Sequence, residues 1–287
     1  MAQFEPTAAR AVVSQPPRRL IVTADDFGRS ESVNRAVVRA HREGILTTAS
    51  LMVNEPGFAQ AVEFARQNPR LGVGLHLTLI CGHSTLDHTQ IPGLVNDRNE
   101  FGTSGFVTGL RYFFDRRLRA QLRAEIRAQL QKFMATGLDL DHVSGHLHMH
   151  MHPTVLGILI EIAPEFGICR IRLTRDKFWL NVHLAGGRWL YKVAMALVFS
   201  QLASHAQTRL AKHGIKHTQN VFGLLQDSRV DEAYVLNLLA RLPAGVSELY
   251  LHPAEADAKH ELDALLSPKV RALVERLGIE LIRYRDL

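Results

Sequence analysis

Five of the fifteen histidines in this chain fall within eleven residues: His142, His146, His148, His150 and His152, in LDHVSGHLHMHMHP. Imidazole is the commonest metal-ligating side chain, and five at this density have no core-packing rationale, so the run reads as a built site. Two other places supply matching donors. Asp25 and Asp26 stand in TADDFG, and His76 stands in GLHLTL. One Asp with two His leaves coordination positions open for water and substrate, as catalytic rather than structural ions require. Adjacent carboxylates point in different directions, so one of the pair can ligate while its neighbour stays free as a base.

Spacing limits how many of the clustered histidines share one ion. On an extended strand alternate residues advance together, which puts His146 and His150 roughly 13 Å apart. Zinc–nitrogen bonds are about 2.0–2.1 Å, so three histidines in line cannot all bind one ion. One or two ligate and the others line the site; spacing does not choose among them.

These residues need elements to hold them. Leu20, Ile21 and Val22 form a short buried strand that ends at the paired aspartates. Ser30 is placed to cap a helix with Val33, Ala36, Val37 and Ala40 on one face, stopped at Gly44. A strand over 45–53, a helix over 57–67 and a strand over 71–79 follow, the last with His76 opposite Val73, Leu75 and Leu77. Residues 80–110 read as irregular, a strand is predicted near 140–148, and Pro153 opens a further helix. Strand–helix alternation with short connections predicts an α/β fold with a mainly parallel sheet, open or closed. Active sites of such sheets gather at the carboxyl ends of the strands, where Asp25 and Asp26 stand. Residues 1–18 read as a loose tail and 19–287 as a single domain.

Composition excludes several classes. With 287 residues, 46% hydrophobic and 22% charged, the chain is neither disordered nor fibrous. Cys81 and Cys169 are its two cysteines, far apart, which rules out a disulfide framework or a cysteine zinc site. No signal-peptide pattern opens the sequence and no apolar run reaches the roughly 18–20 residues of a membrane span, so a cytoplasmic location is expected. Net charge is +6, and residues 111–133 carry seven basic residues against Asp115 and Glu125. Leu118, Leu122, Ile126, Leu130 and Phe133 recur there at helical spacing, predicting one amphipathic helix with a basic outer face. A solvated face or attraction to an anionic membrane fits that pattern; no nucleic-acid recognition motif accompanies it.

TADDFG at 23–28, GLHLTL at 74–79, the histidine run ending in His152-Pro153, and SELYLHPAE at 247–255 occur in one order. Together they resemble the YdjC-like carbohydrate deacetylases, from about Leu20 to the C-terminus. LIVTADDFG, EGILTTASLMV, GLHLTLICGH and HTQNVFGLL resemble most closely the branch associated with hopanoid biosynthesis. The resemblance implies an irregular, TIM-like (β/α) barrel and one divalent ion, zinc by preference, with magnesium, manganese or nickel as alternatives. It implies Asp26, His76 and His146 as ligands, Asp25 as general base and His252 as general acid. It further implies N-deacetylation of an N-acetylglucosaminyl hopanoid glycolipid. Soluble chitooligosaccharides are the alternative substrate, and a non-catalytic His-rich metal binder is the alternative from another class. The sequence departs from the family where relatives read Asp-Ser-His and this chain reads Ser144-Gly145-His146, which removes one acidic partner.

His148, His150, Trp179 and Trp189 are the remaining candidates for contact with substrate or support of the ligands. Residues 193–199 are apolar on every helical face, so they are expected in the core or against lipid. An oligomer is compatible with all of this.

Overall fold

The computed structural model describes residues 16–184, 186–226 and 229–287. Residues 1–15, most of the expected tail, lie outside them; Arg18 already begins the first strand. In chain order the elements are β1 (Arg18–Phe27), α1 (Glu31–Glu43), β2 (Thr48–Leu51), α2 (Phe58–Gln67) and β3 (Gly72–Leu77). Then come α3 (Gly105–Phe114), α4 (Leu118–Met134), β4 (Val143–Gly145), α5 (Pro153–Phe166), α6 (Phe178–Leu184) and α7 (Trp189–Lys212). The chain continues through β5 (Asn220–Phe222), α8 (Glu232–Ala240), β6 (Gly245–Leu251), α9 (Lys259–Leu266), α10 (Pro268–Arg276) and β7 (Glu280–Leu281).

The strands form one sheet in the order β4-β3-β2-β1-β6-β5, with β7 also on β1, and every pairing between them is parallel. β2, β3 and β4 are buried along their whole length, as strands covered on both faces must be. Residues 169–175 close the circle without forming a regular strand. Arg172 N donates to Val143 O on one side, and Val221 N donates to Arg175 O on the other. The irregular (β/α) barrel that the resemblance implied is therefore present.

Local chemistry explains several boundaries. Ser30 accepts from Val33 N at the start of α1, and Pro153 occupies the first turn of α5. Gly28 has φ +93°, and a Cβ there would stand 2.7 Å from Met52 O, so the turn out of β1 requires glycine.

Two expectations need correction. The strand near 140–148 is confined to Val143–Gly145, because the backbone turns into 3₁₀ geometry over His146–Met151. The single helix over 111–133 is two, α3 and α4, separated at Asp115, whose side chain accepts from Arg117 N. Along the basic, largely solvent-exposed face of α4, Arg119 and Arg123 pair with Glu161, and Arg127 pairs with Glu165, both on α5. Residues 193–199 lie within the longer α7, where Phe199 is buried but Leu197 and Val198 are exposed.

Candidate metal centre and active site

β1 does not end as a plain strand. Its register with β2 slips between Ala24 and Phe27, and Asp26 sits in the left-handed region at φ +62°. Such a bulge bends the strand and re-aims its side chains, so two consecutive carboxylates both reach buried positions at the carboxyl end. A non-glycine residue in that region costs on the order of 1–3 kcal/mol, and such strain concentrates at functional sites. β3 delivers His76 beside them, and the turn after β4 delivers His146.

Asp26, His76 and His146 converge: one ligand atom from each lies within 4.8 Å of the others, and all three residues are buried. Asp26 Oδ1 stands 3.4 Å from His76 Nε2 and 3.0 Å from His146 Nδ1. Two donors on a tetrahedral ion with bonds of about 2.0–2.1 Å stand about 3.3 Å apart, so the triad fits a zinc-sized ion. His76 is oriented from behind, its Nδ1 lying 2.8 Å from Ser144 Oγ. The free oxygen of Asp26 accepts from Arg29 Nη1 at 2.7 Å.

Asp25 takes no place in the triad. Arg172 donates to both of its oxygens, Nη1 to Oδ2 at 2.5 Å and Nη2 to Oδ1 at 2.9 Å. The same guanidinium donates to Glu248 of β6, with Nη2 to Oε1 at 2.7 Å, and stacks 4.9 Å from the Tyr250 ring centroid. Thr23 and Tyr284 donate in turn to Glu248. His252 immediately follows β6, whose Leu251 pairs with Ala24, so it leaves the sheet beside Asp25.

The sequence profile of the YdjC-like protein family matches residues 19–276. The chain belongs to this family. It is 41% identical over 152 residues to a carbohydrate deacetylase of Brevibacillus brevis, covering 52% of this chain and 57% of that protein. The match thus spans little more than half of that relative's length. A carbohydrate deacetylase of Thermoanaerobacter pseudethanolicus is 28% identical over 257 residues, covering 90% and 88%. Among solved structures, a candidate cellobiose-phosphate cleavage protein of Enterococcus faecalis V583 superposes with a TM-score of 0.73 at 22% identity, covering 94% of this chain and 98% of that one. That likeness is one of fold.

In this YdjC-like chain the histidine run divides its labour. His146 joins the triad. His150 Nε2 lies 3.1 Å from Arg172 O and so supports the backbone that presents the guanidinium. His142 stacks on Tyr284 with Nε2 on Ser50 Oγ, and His152 Nε2 meets Gly109 O. His148 Nε2 lies 3.0 Å from Tyr250 OH and its ring meets Phe199 edge-on. The in-line strand geometry read from the sequence does not occur, because Leu147 and His148 both have positive φ and fan the side chains apart. Trp179 and Trp189 are exposed, each with its ring against Phe178, and contact none of the ligands.

Electrostatics keeps the site's charges apart. Burial would raise the Asp25 carboxyl, but Arg172 and His76 outweigh it and hold it below the usual carboxylate range. Burial acts likewise on Asp26 and is outweighed by its bonds to His146 and His76. Burial lowers His76 despite the two aspartates. Burial and then Arg172 push His150 down to about 3, and burial, then His150 and Arg172, take His148 well below its ordinary value. The site therefore holds ionised Asp25 and Asp26 beside His76, His148 and His150, whose imidazoles burial keeps neutral.

Arg172, Glu248 and Arg29 are not singled out from sequence, and Ser144 only as the place of a missing acid. A signal existed for two of them. Arg172 in ICRIRLT and Glu248 in SELYL are charges inside otherwise apolar, strand-like runs, and a buried charge of that kind is retained only with a partner.

Proposed function

We propose that the chain is a metal-dependent N-deacetylase of acetylated amino sugars. One observation carries the reading: an Asp–His–His triad stands beside a second aspartate that Arg172 keeps ionised and out of the ligand set. A metal store has no use for that fixed carboxylate. Family membership and relatives named carbohydrate deacetylase support the same chemistry.

Asp26, His76 and His146 would hold the ion. When bound, it supplies Lewis acidity, polarising the acetyl carbonyl and making water acidic enough to lose a proton near neutral pH. Asp25 accepts that proton, its second lone-pair directions fixed by Arg172. His252 donates a proton to the departing sugar nitrogen, since an amine anion cannot leave unassisted. Neutral His148, tethered to Tyr250, lines the approach. Water attacks the acetyl carbon, the C–N bond breaks, and acetate and a free glucosaminyl amine are released.

For the substrate, we propose an N-acetylglucosaminyl hopanoid glycolipid. The exposed aromatic rings of Trp179 and Trp189 and the closeness of the motif wording to the hopanoid-associated branch support it. Soluble chitooligosaccharides are the second reading, favoured by relatives whose names mention carbohydrate alone. Acetate release from both substrate types, with and without a chelator, tests the proposal. Chelator-sensitive release from the glycolipid is the expected result. Release from oligosaccharide alone shifts the substrate, and release from neither overturns the deacetylase reading.

A further inference from the structure

α3 is held to the barrel by buried Thr108 and Tyr112, while its outer face leaves Phe106 78%, Phe113 56% and Phe114 72% exposed. The corner between α6 and α7 does the same with Trp179 at 72% and Leu190 at 83%. Scattered exposed apolar residues are ordinary; clusters of aromatic rings on two separate helices are not.

The helices that carry the two clusters both reach the turn that carries the triad histidine. Phe113 lies edge-on to His152, with ring centroids 6.2 Å apart, and Phe199 of α7 lies edge-on to His148 at 5.3 Å. Leu147, on that same turn directly after His146, is itself exposed. The helices bearing these apolar surfaces therefore both pack against the turn that delivers His146.

Charge identifies the occupant. Exposed Arg116 and Arg117 follow α3, with Asp115 as the one acid beside them, and exposed Lys177 precedes α6. A face of aromatic and aliphatic side chains edged by cations matches an anionic lipid interface, where rings insert at headgroup depth and cations meet phosphate. A two-fold contact with a second copy would bring like charges together. We propose that α3 and the α6–α7 corner dock the barrel mouth on an anionic bilayer surface. The inference deepens the glycolipid reading and takes its purpose from it, but its test does not depend on turnover.

The chain's two tryptophans, Trp179 and Trp189, both lie in the second cluster and so report docking directly. On addition of phosphatidylcholine vesicles containing phosphatidylglycerol at low salt, their emission should shift to the blue and the protein should float with the vesicles. Pure phosphatidylcholine or high salt should weaken both signals. Phe106→Ser with Phe114→Ser should reduce partitioning by roughly tenfold or more. The circular dichroism spectrum, bound zinc and hydrolysis of a soluble acetylated oligosaccharide should be retained. Wild-type protein that neither shifts nor floats overturns the proposal, as does a double variant that partitions like wild type. Self-association lost in the double variant, without vesicle binding, assigns the face to a second copy and also overturns it. Vesicle binding without glycolipid hydrolysis sustains docking and removes the substrate reading. Hydrolysis of detergent-dispersed glycolipid without vesicle binding does the reverse.

Discussion

Ser144 and His76 are register partners across β4 and β3, and the serine hydroxyl lies 2.8 Å from the imidazole Nδ1. That contact fixes which ring nitrogen faces Asp26. The partner it supplies is neutral, not an acid. Groups that orient a ligand from behind typically contribute 10–100-fold to metal affinity. Ser144→Ala is expected to weaken zinc binding by about that factor with the fold intact, read by competition with a chromophoric chelator. Ser144→Asp should restore or exceed wild-type affinity.

Metal content and turnover should separate by mutation. Asp26→Ala, His76→Ala and His146→Ala should each lose bound metal and activity together. Asp25→Asn should retain metal, measured by elemental analysis, and lose turnover. An Asp25→Asn protein hydrolysing at the wild-type rate would remove Asp25 from the proton-accepting role.

His252→Ala should lower kcat on an acetamide by roughly 10²–10⁴-fold, the range for general acid–base groups, with metal content unchanged. An activated acetyl ester, whose leaving group needs no proton, should be affected far less. Equal losses on both substrates would assign His252 to binding instead.

Arg172 is buried and neutralises two buried carboxylates, Asp25 and Glu248. Removing one partner from such a group leaves uncompensated charge and costs about 3–5 kcal/mol. Arg172→Met should lower unfolding stability by that order in urea titration. Arg172→Lys, with a single ammonium in place of the fork, should recover part of the stability but not the geometry of Asp25. Its deficit should therefore fall on kcat more than on KM.

Asp176 offers a pH signature of stability. One of its oxygens is buried without a partner among the described residues, the other accepts from Leu225 N and Asn181, and burial pushes the carboxyl up to about 7. The unfolded chain releases this proton near 3.8 while the folded chain holds it. Stability from this group is therefore present below pH 3.8 and lost as pH rises toward about 7. Asp176→Asn should flatten that part of the stability–pH curve in thermal melts at constant ionic strength.

Much of the barrel was legible because its strands are short apolar runs and its helices carry local stop signals. Ser30, Gly44 and Pro153 act where they stand, and TADDFG marks its own strand end. What escaped depends on partners far away in sequence. The ion pairs along the basic side of α4 need Glu161 and Glu165 of α5, which no local pattern announces. Residues 105–110 of α3 fall in the stretch read as irregular because Gly105 and Gly109 weaken the helical pattern and Phe106, Val107 and Leu110 are exposed. The 3₁₀ turn escaped because Leu147 and His148 adopt positive φ, which side-chain identity does not announce. With that turn unseen, the choice of His146 over its neighbours rested on family likeness.

The left-handed backbone at Asp26 makes that position doubly selective. Aspartate and asparagine are the non-glycine residues that enter this region most readily, so the peptide chain and the ion screen the same residue by different criteria. Glutamate passes the second and is penalised by the first; asparagine passes the first and brings no charge; glycine relaxes the chain and brings no ligand. A library randomised at this codon and sorted first for folding, then for zinc, should shed different residues at each sieve and retain aspartate after both.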